Sequence, residues 1–247
     1  MDRPMRSYLL IAVLILLLFS GCSYHHESYS ILESVPYLNY RSNASPELVD
    51  GSTGFGIGIG GAYAHTATDS DTSVSTFVTN MSLRANLGSI VEVGVTPSFL
   101  ISDDILPYGI FDAKFKLAEQ PVIINPSIGF GAGFGRAGFM GDARMLVVFG
   151  VSLLDGLINP YVAPKLMMFL YPYELSGYFP TTTKRTMCGI YGLDAGMSFS
   201  IPIGKGKKSI QKLKIMPEFT YVAGKEPKGE KMKFSITRFG ASLLFAP

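Results

Sequence analysis

Charge is what this sequence has least of. Only 16% of its 247 residues are charged, 47% are hydrophobic, and mean hydropathy is +0.29. Soluble domains carry roughly a quarter charged residues, so this chain is short of the groups that keep a surface wet. Its apolar content excludes a disordered chain, because disorder goes with low hydrophobicity and high charge. Its 21 Lys and Arg stand against 19 Asp and Glu, a net charge of +2, so no basic excess points to a nucleic-acid partner. Two cysteines cannot build a disulfide framework. Long apolar runs are missing too. The unbroken run Leu9–Phe19 has eleven residues, against the roughly 20 needed by a spanning helix. No later stretch shows a sustained helical period.

The amino terminus reads as a targeting segment. Arg3 and Arg6 precede the Leu9–Phe19 run, and small residues follow it, which is the layout of a secretory signal peptide. The run ends in Leu18-Phe19-Ser20-Gly21-Cys22. Ser20, Gly21 and Cys22 resemble the bacterial lipobox, in which small residues precede the cysteine that becomes the acylated first residue of the mature chain. The resemblance implies cleavage after residue 21, acyl chains such as palmitate on Cys22, and handling by the lipoprotein sorting machinery. Ser23 in place of Asp is compatible with transfer to the outer membrane. The alternative is ordinary signal-peptidase cleavage, with Cys22 an incidental thiol. With Cys22 lipidated, Cys188 has no partner and is expected to be a small buried filler. Removing residues 1–21 takes Asp2, Arg3 and Arg6 and leaves 19 basic against 18 acidic residues, so the charge shortage is not an effect of the leader.

The expected organisation is a cleaved signal peptide (1–21), a lipidated tether or short plug (22–53) and a barrel domain (54–247). From Gly54 onward the pattern is period two, the strand signal. Tyr108, Ile110, Asp112, Lys114 and Lys116 alternate with Gly109, Phe111, Ala113, Phe115 and Leu117. Ten runs follow this rule, near 54–64, 74–87, 90–100, 107–117, 122–134, 143–154, 157–170, 186–203, 212–223 and 232–246. They are long for globular strands but suit tilted membrane strands of about 9–11 residues. Gly88-Ser89, 118–121 and Asp155-Gly156 read as tight turns, and 65–73, 135–142, 171–185 and 224–231 as longer loops. Segment 101–106 is intermediate, and 204–211 is a basic turn. Short turns alternating with long loops on an even strand count is the layout of a transmembrane barrel.

A soluble barrel shows the same alternation with its faces reversed. Composition decides between them: a water-facing exterior needs many Lys and Glu, and the polar faces here are largely Gly, Ser, Thr and Asn with single charges. Gly is abundant at 27 residues, and the first strand sets Phe55, Ile57, Ile59 and Tyr63 against Gly54, Gly56, Gly58 and Gly60. The expected fold is therefore all-β, a closed antiparallel up-and-down β-barrel of about ten strands. The closing run Phe239, Ala241, Leu243, Phe245 resembles the alternating aromatic assembly signal of small bacterial outer-membrane β-barrel proteins, and residues 54–247 resemble that class. The resemblance implies an outer-membrane location, outer-membrane lipids as surroundings, and the barrel assembly machinery as partner during biogenesis.

The expected lumen carries Arg84, Glu92, Asp112, Lys114, Lys116, Arg144, Lys165, Asp194, Lys212, Lys214, Glu218 and Arg238. A Lys or Arg facing lipid near the midplane costs about 2–4 kcal/mol, which directs these residues inward. Glu92 with Lys114, and Lys214 with Glu218 and Arg238, are candidate cross-strand pairs. The favoured reading is an ion-pair network that mostly plugs the barrel, since eight strands leave an interior just filled by side chains and ten leave little more. A narrow pore for small solutes is the alternative, and a lipid-tethered soluble barrel holding an apolar ligand is a third. No catalytic site, metal or cofactor is expected. His25 and His26 are too few for a metal site. His65, near Asp69 and Asp71, has no serine in a recognisable elbow. Tyr171, Tyr173, Tyr178 and Phe179 form either a surface-recognition loop or part of an interfacial aromatic belt.

Overall fold

In the computed structural model the described residues are 54–68, 73–101, 105–118, 120–135, 138–174, 183–203, 212–225 and 233–246. The leader, Cys22, the tether with His25 and His26, and Tyr178 and Phe179 lie outside them. Ten strands close into one antiparallel barrel: β1 (Phe55–Thr68), β2 (Ser73–Leu87), β3 (Val91–Ile101), β4 (Ile105–Phe115), β5 (Val122–Gly135), β6 (Gly138–Val151), β7 (Ile158–Glu174), β8 (Thr183–Pro202), β9 (Lys212–Lys225) and β10 (Lys233–Ala246). Each strand pairs with its sequence neighbours, and β10 pairs with β1, so no edge is left open.

Register fixes the shape. Cross-strand partners starting at Gly56 run through Arg84, Gly94, Asp112, Gly129, Arg144, Met167, Ile190, Gly224 and Phe234 and return to β1 at Thr68, so the shear from residue 56 to residue 68 is twelve. With ~3.3 Å per residue and ~4.8 Å between strands, ten strands at this shear tilt by about 40° around a cylinder of about 10 Å radius. A 14-residue strand then climbs about 35 Å, more than the ~25 Å apolar band of a membrane barrel. The end of the barrel where β1 begins and β10 ends is called lower here.

Charge separates by face. Outward side chains on β1 are Phe55, Ile57, Ile59 and Tyr63, and on β7 Val162, Leu166 and Met168. Among the described residues, no Lys, Arg, Asp or Glu faces outward between the rims; Lys225 and Lys233 stand at the upper rim and Asp155 in a lower turn. An exposed apolar surface around the whole circumference far exceeds the few-hundred-Å² patches of soluble monomers. A closed sheet of this kind satisfies its backbone in lipid, and the architecture is that of a membrane barrel. The soluble barrel would need the opposite polarity.

Lower turns are short. Gly88 takes φ +79° between β2 and β3, where a side chain would be strained. The β6–β7 connection contains a 3₁₀ turn, Leu154–Gly156, with Leu154 and Asp155 at positive φ. The long loop expected at 135–142 is a correction: Gly135 pairs with Gly138, and β6 begins there. Its glycines mark strand positions beside bulky inward neighbours, not a turn. The upper loops expected at 65–73, 171–185 and 224–231 likewise shrink, because the strands continue past the apolar band through polar residues such as His65, Thr66 and Thr68. Tyr171 and Tyr173 are therefore strand residues of β7, paired with Thr186 and Lys184, and not loop residues.

Candidate functional site

The lumen is the place where chemistry-bearing residues converge. Eleven charged side chains point inward and are buried: Arg84, Lys114, Arg144, Lys165, Lys214 and Arg238 against Glu92, Asp112, Asp142, Asp194 and Glu218. Period two brings them there, because each lies an even number of residues from the others on its strand. Ten of the eleven were legible in the sequence. Asp142 was missed because it fell in the stretch read as a loop. Lys116 and Lys212 need correction in the other direction. Lys116 lies just beyond β4 and is half-buried at the lower rim, and Lys212 is exposed at the first residue of β9, where the wall no longer encloses it.

Five ion pairs organise the network. On β2 to β4, Arg84 pairs with Asp112 and also donates to Thr96 Oγ1 at 3.0 Å. Lys114 Nζ lies 3.6 Å from Glu92 Oε1 in the adjacent strand position, the cross-strand pair expected from sequence. On β6, Arg144 grips Asp142 with two donors, Nε at 2.6 Å from Oδ1 and Nη2 on Oδ2, and Tyr108 of β4 donates to the same carboxylate. A two-donor grip of this kind is charge-assisted and sets orientation as well as energy. On β7 and β8, Lys165 Nζ donates to Asp194 Oδ1 at 2.6 Å, and Thr220 Oγ1 donates to the same oxygen at 2.6 Å. Arg238 of β10 pairs with Glu218 and donates to Thr220 Oγ1 at 2.7 Å, while Tyr161 OH donates to Glu218 Oε2 at 3.0 Å. Lys214 sits two inward positions below Glu218 on β9, within electrostatic range of Lys114 across the lumen.

Glycine makes room for this crowd. Gly94 is the register partner of both Arg84 and Asp112, and a Cβ there would overlap the Arg84 guanidinium. Gly129 stands between Asp112 and Arg144 in the same way, and Gly196 between Tyr161 and Glu218. The inner wall thus alternates a long side chain on one strand with an empty position on the next.

Above the ion pairs the lumen changes character. Val78, Leu100, Ile110, Met140, Met167 and Phe169 meet Cys188, Ile190, Val222, Phe234 and Ile236 in one buried apolar cluster. These residues come from the upper halves of the strands, so the cluster caps the charged layer. Cys188 is a buried free thiol within it. On the outer face, His65 Nδ1 lies 3.1 Å from Ser75 Oγ. Among the described residues, no group of three or more His, Cys, Asp or Glu side chains is placed to hold a metal ion.

No family model and no curated protein sequence matches the chain. Solved structures to which it is similar include three bacterial outer-membrane β-barrels. For Neisserial surface protein A the identity is 10% and the TM-score 0.38, covering 76% of this chain and 96% of that one. For Ail, the attachment invasion locus protein of Yersinia pestis, in complex with the heparin analogue sucrose octasulfate, the values are 12% and 0.34, over 79% and 100%. For the β domain of the Bordetella autotransporter BrkA they are 9% and 0.44, over 77% and 98%. At such identities and TM-scores the likeness carries no statement about this chain's activity or partners.

Proposed function

We propose that this protein is a lipid-anchored β-barrel of the bacterial outer membrane with a structural or surface-display role, its lumen closed to solutes. The observation that carries the reading is the inversion of polarity: outward side chains are apolar around the circumference, while eleven charged side chains are buried inside. A barrel in water gains nothing from that arrangement, and one in lipid requires it. Closure is supported by the five ion pairs and by the apolar cluster stacked on them. In this reading the lower rim faces the periplasm, and acyl chains on Cys22 enter the inner leaflet beside it. The upper rim then displays the loops.

Two measurements test the reading. Purified barrel, first shown to be folded by heat-modifiable gel migration, is expected to give a silent baseline in planar bilayers; discrete conductance steps would replace the closed lumen with a narrow pore. Radiolabelled palmitate is expected to enter the wild-type chain and to be lost in Cys22→Ser. A wild-type chain that takes up no label carries no lipid anchor.

A further inference from the structure

The outer wall carries two grooves that meet. The lower one, about 590 Å³, is apolar and runs across β5 to β8, with walls from Ile128, Phe130, Met145, Leu166 and Met168 and a floor at Ala143. The upper one, about 570 Å³, rises across β8 to β10 and is lined by Tyr221, Ala223, Lys225 and Lys233. Gly189 and Tyr191 line both, so the two form one continuous channel along the barrel wall. At Gly189 a side chain would meet nothing within 4 Å, so the missing Cβ leaves open space where the grooves join.

At the top of this channel Lys225 and Lys233 are direct register partners, both exposed. Like charges placed directly opposite across two strands repel, and a strand pair gains nothing from them unless an anion lies between. They stand above Tyr191 and Tyr221, at the level where a barrel leaves the hydrocarbon and meets headgroups, and Tyr side chains favour that level. Lys at such a rim lays its stem along the apolar wall and lifts its ammonium to the interface.

We infer that this channel holds an anionic, phosphate-bearing lipid of the outer leaflet, its phosphate between Lys225 and Lys233 and an acyl chain in the apolar groove below. The inference rests on the membrane-barrel reading and adds to it a site for one class of lipid. The shape supplies the argument: a two-cation head site continuous with an apolar slot matches an amphiphile with a negative head. A phosphate ester offers several charged oxygens to two ammonium donors.

The chain has no tryptophan, so single reporters can be introduced cleanly. Leu193→Trp places one on β8 beside the channel, and Met81→Trp places a control on β2, away from it; both positions face outward. Each folded variant is reconstituted in phosphatidylcholine vesicles containing brominated phosphatidic acid or brominated phosphatidylcholine at equal fraction. At the β8 reporter, phosphatidic acid is expected to be enriched about thirtyfold over phosphatidylcholine, the contribution of two interfacial lysines. The preference should vanish in a Lys225→Gln/Lys233→Gln background, with the β2 control quenched equally by both lipids throughout. Equal quenching at the β8 reporter with both lysines intact, or a preference that survives their replacement, overturns the site and leaves the membrane barrel standing. A β2 control untouched by any brominated lipid overturns the membrane-barrel reading, and the site with it.

Discussion

The upper half of the lumen is filled chiefly by one apolar cluster, the lower and middle part by ion pairs with two smaller apolar clusters around Val148 and Met216. In the upper half, Met140, Met167, Phe169, Ile190 and Phe234 fill volume with apolar groups that impose few directions on their neighbours. In the lower and middle part, Arg84, Asp112, Lys165, Asp194, Glu218 and Arg238 fill it with charges that are tolerable only in one geometry. Burying an ion costs several kcal/mol, and a partner offsets that only with good geometry and further hydrogen bonds, so each pair here is also a constraint on register. A slip by one residue would turn every such charge toward lipid. A slip by two would move Arg84 off the empty position at Gly94. The apolar half does not discriminate so sharply. Both halves seal the lumen, and the charged one chiefly sets the register.

The largest expected effect comes from breaking one charged pair. Asp194 accepts from Lys165 and Thr220, and none of its surface is exposed. Asp194→Ala leaves the Lys165 ammonium buried without its carboxylate, which should cost about 3–5 kcal/mol. Urea unfolding of the barrel in lipid vesicles reads this directly. The double variant Lys165→Leu/Asp194→Leu removes both charges and should recover most of that loss. If the double variant is as unstable as the single one, the network contributes net stability through its hydrogen bonds, and the register argument loses its main support.

How much of this was legible beforehand follows from the same comparison. The charged half was read almost entirely from the sequence, since a Lys or Asp in a period-two run has only one tolerable face. Glu92 with Lys114 is the pair expected from strand adjacency, and of the expected group Lys214, Glu218 and Arg238 the ion pair joins Glu218 to Arg238. The apolar half was legible only in part: Ile110 shares a strand face with Asp112 and Lys114, and Cys188 was expected to be buried. Phe169 and Phe234 are apolar residues in strands whose outer faces are apolar too, so composition gives no sign of which way they point. Tyr161 and Thr220, which complete the charged network, were not assigned: hydroxyls carry too weak a preference to be placed on a face without a charged neighbour in the same run. Asp142 failed for a different reason. The glycines around it, Gly138 and Gly141, look like turn residues, and only register shows them as strand positions. Tyr171 and Tyr173 were misplaced by the same error, since the polar and aromatic residues of that stretch suggested a loop where β7 continues.

The smallest expected effect sharpens the contrast from the other side. Ile190 is buried in the upper cluster, and its register partners on the neighbouring strands are Met167 and Gly224. Ile190→Val removes one methyl group and should cost about 0.5–1.5 kcal/mol, the usual range for that truncation in a packed core. The low end is expected here. Met167 beside it is unbranched and can shift into the space, and Met140 shares the same cluster. The same vesicle unfolding assay measures it, against Asp194→Ala on the same scale. A several-fold gap between the two supports a plastic upper half above a directional lower one. Equal costs would mean that the apolar cluster is as exacting as the ion pairs, and that register is set by the packing of the whole lumen.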